Sequence, residues 1–445
     1  MPAPSAAPAA WAPLSPGRSP RVDITNFFTL WLVLLYGISA NQVIPGMGAL
    51  GSPALLMAMT TPLVWGLAWF HPQMGLVRDG HPVRAAVGLF FLYHLFSYSV
   101  ASTRSLTSLE ASGSTRSLLT MAAMSGVALL VADGIRDEAR LTALLRRVTY
   151  AAALFSLHGI LQLVTRSLLH VNVPGLQWNA PPMGIADRGA FGRPPATGLH
   201  AIEYSVVAGA TFPLAIHFAL HARTPLQRYV ATGCALVIGL AVPLSSTRSG
   251  LVSMVVGLLV LFAGWRGRRL LNGILSVLIT VPVLWATVPG VVGTFIGMFT
   301  GTDDDPSVQA RLRVVPRVME MIRERPLVGL GTGTWSPEDY FLLDNQIYVS
   351  SLELGIFGML LVFGVLALAV VVAATVHAIP RVDAASGHLS LAISASIAAF
   401  AVSLVTFDAF HYRILTGTLF LLVGAAGAFW RLNRGSEHLL SREPG

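Results

Sequence analysis

Three arginines, one carboxylate and one spacing carry the chemistry that can be read from this sequence. Arg193 opens Arg193-Pro194-Pro195-Ala196-Thr197-Gly198-Leu199-His200, and Glu203 follows. Arg248 lies in the tight polar turn Ser245-Ser246-Thr247-Arg248-Ser249-Gly250. Arg311 precedes a glycine-rich stretch, Pro326-Leu327-Val328-Gly329-Leu330-Gly331-Thr332-Gly333-Thr334-Trp335. Asp344-Asn345 comes next, then nine residues, then Gly355-Ile356-Phe357-Gly358. A guanidinium is permanently charged and forked, so it suits bidentate contacts to phosphate or carboxylate. A carboxylate such as Asp344 can cap a helix or, inside a pocket, accept a proton. Asp408, His411 and Arg413 form a further charged cluster, readable as an ion-pair set or as a group supporting substrate.

The glycine-rich stretch can present backbone N–H groups to phosphate. It lacks the Lys and following Ser/Thr of a nucleotide-binding loop, so a turn is the default reading. Asp303-Asp304-Asp305-Pro306 reads as a helix start, with Asp305 as N-cap and Pro306 in the first turn. Val308, Leu312, Val315, Met319 and Ile322 recur at spacings of four and three, which predicts one apolar helix face with Arg311 at its edge. Arg313, Arg317, Glu320 and Glu324 fall opposite, and Pro316 is expected to kink the helix. The single Cys234 leaves no intrachain disulfide and no Cys-based metal site. His94, His158 and His217 read as core or interhelical hydrogen-bonding residues, and no cluster of metal ligands is evident, so neither metal nor cofactor is expected.

These residues need a scaffold, and composition names it. The chain has 445 residues, 54% of them hydrophobic and only 11% charged, with mean hydropathy +0.67. Soluble domains carry roughly 25% charged residues, so a soluble enzyme, a disordered chain and a coiled coil are excluded. Spanning helices need about 20 mostly apolar residues. Twelve candidate windows lie near 25–43, 53–70, 83–101, 117–133, 148–166, 201–221, 227–244, 249–265, 270–288, 347–377, 388–407 and 413–430. The expectation is an all-α integral membrane protein with about 12 transmembrane helices. Residues 1–24 and 431–445 form cytoplasmic tails around one membrane domain, 25–430.

All 29 basic residues are Arg, and their asymmetry sets the orientation. With the N-terminus inside, 17 lie on the cytoplasmic side and seven on short outer segments, and five more fall in one long outer loop. Both termini are then cytoplasmic. The segments 167–200 and 289–346 become long outer loops, the second expected to carry amphipathic helices between spans 9 and 10. Long loops often carry function, so the polar chemistry is placed on the outer face. The net charge of +8 is absorbed by orientation and implies no nucleic-acid partner.

In order and placement these motifs resemble the O-antigen ligase and polymerase superfamily of integral membrane glycosyltransferases. Its ligases carry a His, then Asn, Ser or Gln, then nine residues and Gly-x-x-Gly; here Asp344-Asn345 precedes Gly355 and Gly358 at that spacing, with Asp in place of His. Arg311, fifteen residues before Pro326, fits the family's Arg and Pro-Leu-x-Gly-x-Gly. Thr247-Arg248-Ser249 and Arg193 with Gly198 and His200 resemble its other outer-face motifs. The resemblance covers roughly 25–430 and implies transfer of a glycan from undecaprenyl diphosphate to an acceptor hydroxyl at the periplasmic face of the bacterial inner membrane. It implies catalytic roles for Asp344, Arg248 and Arg311, and the expected substrate-binding residues are Arg193, His200 and Asn345 from these motifs with Glu203, Asp408 and His411 from the outer-face charges. The acceptor is a glycan or lipid-linked glycan, and bilayer lipids are the other partners. The missing His favours a polysaccharide polymerase over a ligase. A flippase or transporter is the alternative from another class; the short connection between spans six and seven argues against the common two-halved transporters.

Overall fold

The computed structural model describes residues 23–71, 76–77, 80–182, 184–188, 191–287, 293, 306–379 and 382–440. The N-terminal tail to residue 22, Asp303, Asp304 and Asp305 lie outside the described residues. Those described form thirteen α-helices and two short antiparallel strand pairs. The helices are α1 (Ile24–Gly37), α2 (Pro53–Phe70), α3 (Pro82–Ala101), α4 (Ser108–Gly134), α5 (Glu138–Thr165), α6 (Ala201–Leu220), α7 (Pro225–Leu244), α8 (Arg248–Gly264), α9 (Gly267–Thr287), α10 (Pro306–Glu324), α11 (Gln346–His377), α12 (Ala384–Ser403) and α13 (Arg413–Leu440).

Each apolar window coincides with a helix, and α10 is the thirteenth. Ten of the described helices are long and apolar enough to cross a membrane. The other two, α1 with 14 residues and α8 with 17, are apolar but shorter. Capping groups sit where the sequence offers them. Thr107 and Glu110 form a reciprocal capping box on α4. Asp137, Thr224 and Asp383 accept the first free N–H groups of α5, α7 and α12.

The centre of the bundle is α4, α6, α12 and α13, whose apolar stretches are mostly buried; α7 and α9 leave theirs mostly exposed, as a lipid-facing surface requires. The long 167–200 segment is tied to the α1–α2 connection by strand β1 (Gln42–Val43) pairing with β2 (Gln177–Trp178). Gln42 reinforces the link by donating to the Val171 carbonyl at 2.6 Å. A second hairpin, β3 (Ala186–Arg188) and β4 (Phe191–Arg193), leads to His200.

The glycine-rich stretch has a structural task. α11 is broken at Gly355, which takes φ 70° and ψ −178°. The break frees carbonyls that a continuous helix would use. The Leu352 and Glu353 carbonyls accept from the N–H groups of Leu330 and Gly331, both at 2.8 Å, and Ile356 N–H donates to the Pro326 carbonyl at 2.8 Å. The Glu353 carboxylate then accepts from the N–H groups of Gly333 at 2.9 Å and Trp335 at 3.0 Å. A Cβ on Gly355 would stand 2.2 Å from the Leu327 carbonyl oxygen. The N–H groups of Leu330, Gly331, Gly333 and Trp335 are therefore spent within the fold. The turn reading holds, and the phosphate-cradle reading fails at these four groups.

α10 packs on the protein through a second apolar stripe. It begins at Pro306 and runs through Pro316. Its packed side is Val314, Val318, Met321 and Ile322, set against Leu343, Val349 and Leu352. Leu312 and Met319, on the apolar face that the spacing gives, are 58% and 39% exposed. Two apolar stripes share this helix, and the hydrophobic patch at the start of α11 selects the second. That choice turns Arg311 toward Asp344.

Gly355→Ala is expected to cost about 2–4 kcal/mol, from a left-handed backbone and overpacking combined. Gly364→Ala, with nothing within 4 Å of the new methyl, should leave stability unchanged or raise it. Thermal unfolding of the two variants in detergent checks the contrast.

Candidate active site

A cavity of about 470 Å³ opens where the 167–200 segment, the stretch 332–344, the first turns of α11 and the 408–413 turn meet α4. Asp344, His200, Asp408 and His411 all line it. Asp344 directly precedes Asn345, the N-cap of α11. Arg311 reaches it from α10, with Nη2 at 3.1 Å and Nε at 3.3 Å from the same Oδ2 oxygen. The pair is partly exposed, 38% and 36%.

His200 is the N-cap of α6, and its Nδ1 accepts from Ile202 N–H at 3.0 Å. Burial and the neighbouring Arg193 guanidinium push its pKa down to about 4, with the Asp344 charge opposing them. It is therefore a neutral imidazole at neutral pH. Desolvation pushes the Asp408 carboxyl up, and Asp344 adds to the effect while His411 opposes it. His411 Nδ1 stands 3.7 Å from Asp408 Oδ2. Two carboxyl groups, a neutral imidazole and two guanidiniums thus feel one another around one wet cavity.

Other expected site residues are placed elsewhere. The buried Glu203 spends its carboxylate on backbone, accepting from Leu199 N–H at 2.8 Å, Ile414 N–H at 2.9 Å and Leu415 N–H at 3.4 Å. It holds the first turn of α13 and does not line the cavity. Asn345 is likewise occupied as a cap, accepting from Ile347 N–H at 2.8 Å. Arg413 lines the cavity and donates to the Ala40 and Ala49 carbonyls, pinning the α1–α2 connection. Arg248 opens α8 beside the first turn of α6, where Thr247 is hydrogen-bonded to Ser205. Arg193 makes itself felt at the cavity through His200. Neither arginine is on the cavity wall.

Residues 233–372 match the family model described as O-antigen ligase. The matched stretch is about a third of the chain. The matched stretch includes Arg248, Arg311, Pro326–Gly331, Asp344, Gly355 and Gly358, while Arg193, His200, Asp408 and His411 lie outside it. No curated protein matches the chain. The match and the ten long apolar helices together support a multi-pass membrane protein similar to the O-antigen ligase family.

Three cavity residues were given no role by the sequence: Arg116, Trp335 and Glu353. Glu353 had a usable signal, a lone carboxylate inside an apolar span. Trp335 is fixed by its indole N–H donating to the Phe341 carbonyl at 3.1 Å and by stacking on Tyr340 at 4.5 Å. The absence of a metal-ligand cluster is also corrected. His217, His221 and His388 meet with their ligand atoms within 4.8 Å of one another, at the end of α6 away from His200.

A depressed pKa on a base means that the unfolded chain takes up its proton first, and a protonated His200 cannot accept from Ile202. Stability is therefore expected to fall as pH drops from 6.5 toward 4. His200→Asn keeps a capping acceptor without a titration in that window, so its melting temperature should fall less than wild type between pH 7 and 5.

Proposed function

We propose that this protein moves a glycan from undecaprenyl diphosphate to a sugar hydroxyl at the periplasmic face of the inner membrane, as a polysaccharide polymerase. Twelve spans with both termini cytoplasmic, and residues 25–430 as one membrane domain, complete this reading. The observation that carries it is the Arg311–Asp344 pair at 3.1 Å, inside the matched stretch, with the Asp344 carboxylate lining the cavity.

The acceptor oxygen attacks the anomeric carbon, and the bond from that carbon to the phosphate oxygen breaks. The diphosphate leaves with the electron pair, and the hydroxyl proton passes to Asp344. Arg311 is bound to Asp344 through one carboxylate oxygen. Once Asp344 is protonated, Arg311 loses its charged partner while negative charge builds on the diphosphate. Arg193 and Arg248 add permanent positive charge from the same end of the helices. Guanidiniums aimed at developing charge lower the barrier, so the reaction needs no metal. His200, Asp408 and His411 bind the sugar hydroxyls, with Glu203 and Asn345 acting by holding α13 and α11.

A ligase that hands finished polymer to lipid A core or another terminal acceptor is the second reading. The Asn345 to Gly355 and Gly358 spacing favours it, and the Asp in place of the ligase His counts against it. A transporter is disfavoured because only residues 221–224 separate α6 from α7.

Asp344→Asn and Asp344→Ala are expected to lower kcat by about 10²–10⁴-fold with folding intact. Arg311→Ala should lose about 10²–10³-fold, and combining it with Asp344→Ala should cost little more. Full turnover by Asp344→Asn would remove the base assignment. In a deletion strain, single repeat units accumulating on the lipid carrier indicate a polymerase, and long carrier-linked polymer indicates a ligase. Unchanged surface glycan excludes both.

A further inference from the structure

At the far end of α6, three imidazoles come together that the transfer reaction does not use. His217 and His221 are four residues apart in its last turn and face the same way. His388 joins them from the first turns of α12. The ring centroids lie 4.9, 5.2 and 4.7 Å apart in the three pairs. His217 and His388 are buried, 3% and 2% exposed. A second cavity, of about 410 Å³, adjoins them and is lined by His388, Trp265, Arg269, His377 and Asp383.

We propose that His217, His221 and His388 form a binding site for a borderline divalent transition metal, with zinc as the occupant. Neutral imidazole suits such ions, and two His one helical turn apart are the pairing that zinc-binding helices use. Three protein nitrogens leave a fourth tetrahedral position for water, which the adjoining cavity admits.

The hydrogen bonds fix which nitrogens are available. His221 Nδ1–H donates to the His217 carbonyl at 3.2 Å, leaving Nε2 as its ligand atom. That Nε2 accepts from Arg269 at 3.4 Å. Arg269 is exposed, so it can withdraw to water. The Trp265 indole can only donate, so its 2.9 Å bond to His388 Nε2 makes that nitrogen an acceptor. His388 Nδ1 then donates to His217 Nδ1, 3.0 Å away. A metal replaces the shared proton between these two rings. If His388 ligates through Nε2, its lone pair is consumed; if through Nδ1, Nε2 must carry the proton. In either case Trp265 loses its acceptor. Among the described residues the charged neighbours include Arg266 before α9, Arg269 on α9, Arg146 on α5 over the Phe218 ring, His377 at the end of α11 and Asp383 capping α12. Asp383 is the one anion among them.

The site joins α6 to α12. α6 begins at His200, and α12 leads into the Asp408 turn. An ion here clamps two helices whose opposite ends serve the active-site cavity.

The test uses full-length protein purified without a polyhistidine tag, stripped with chelator and titrated with zinc chloride. One zinc per chain is expected, with a higher melting temperature and a changed Trp265 emission that Trp265→Phe abolishes. His221→Asn and His388→Ala should each weaken binding by about tenfold or more, while His377→Ala should not. Trp265→Phe should tighten binding, because its donor competes for His388; a purely structural network would not respond in that way. If His388→Ala fails to fold, His221→Asn still decides. No zinc retained by wild type, or retention unchanged in His221→Asn, overturns the site.

Discussion

The break in α11 at Gly355 is the constraint on which the active site is built. A helix that stops and restarts inside an apolar bundle exposes carbonyls and N–H groups that lipid cannot satisfy. Here the Pro326–Trp335 stretch satisfies them, strand-like, with Glu353 gripping its far end. Glycine is required on both sides of this seam, because the two backbones run closer than any Cβ permits. The consequence reaches the cavity directly. Securing the stretch sets Thr332, Gly333 and Trp335 along one wall, and the cap of the re-started chain sets Asp344 at the mouth.

The carboxylates of this protein divide into two kinds by what they accept. Glu203 and Glu353 give their oxygens to backbone N–H groups and hold chain segments together. Glu110 does so for α4 while also binding Arg104 at 2.6 Å and the Tyr340 hydroxyl at 3.1 Å, which moors the active-site loop to the α3–α4 connection. Asp344 and Asp408 instead meet side chains that carry or can carry charge, beside open space. A carboxylate locked by backbone donors has little freedom to take up a proton, because protonation would waste those bonds. One paired with a side chain beside an open cavity has fewer such bonds to lose. This distinction, rather than burial alone, separates scaffold from chemistry here.

Much of this was legible beforehand, and the exceptions have identifiable causes. Helix positions follow from long apolar runs, which bilayer thickness makes nearly unambiguous. Arg311 and Asp344 each stood out by motif, but their pairing belongs to the fold alone. The packed stripe of α10 was not legible because two apolar stripes satisfy the same spacing, and only the partner surface at Leu343, Val349 and Leu352 selects the one that packs. Glu203 looked like a ligand because an ionisable group inside a span is costly; its actual partners are the N–H groups of α13, more than two hundred residues away. The three-histidine cluster escaped for the same reason. His217 and His221 announce themselves by spacing, but His388 arrives from a helix distant in sequence.

An aspartate where ligases of this superfamily carry histidine changes where charge appears during the proposed transfer. A histidine base begins neutral and ends as a cation, so the new positive charge rests on the imidazolium. An aspartate base begins as an anion and ends neutral, so the site gains the same single charge in another place. With Arg311 already bound to Asp344, the charge that emerges is that of the guanidinium, and it emerges as the acceptor proton moves. A forked, permanent cation is better matched to a diphosphate oxygen than an imidazolium is. The substitution therefore couples proton uptake to leaving-group stabilisation through one ion pair.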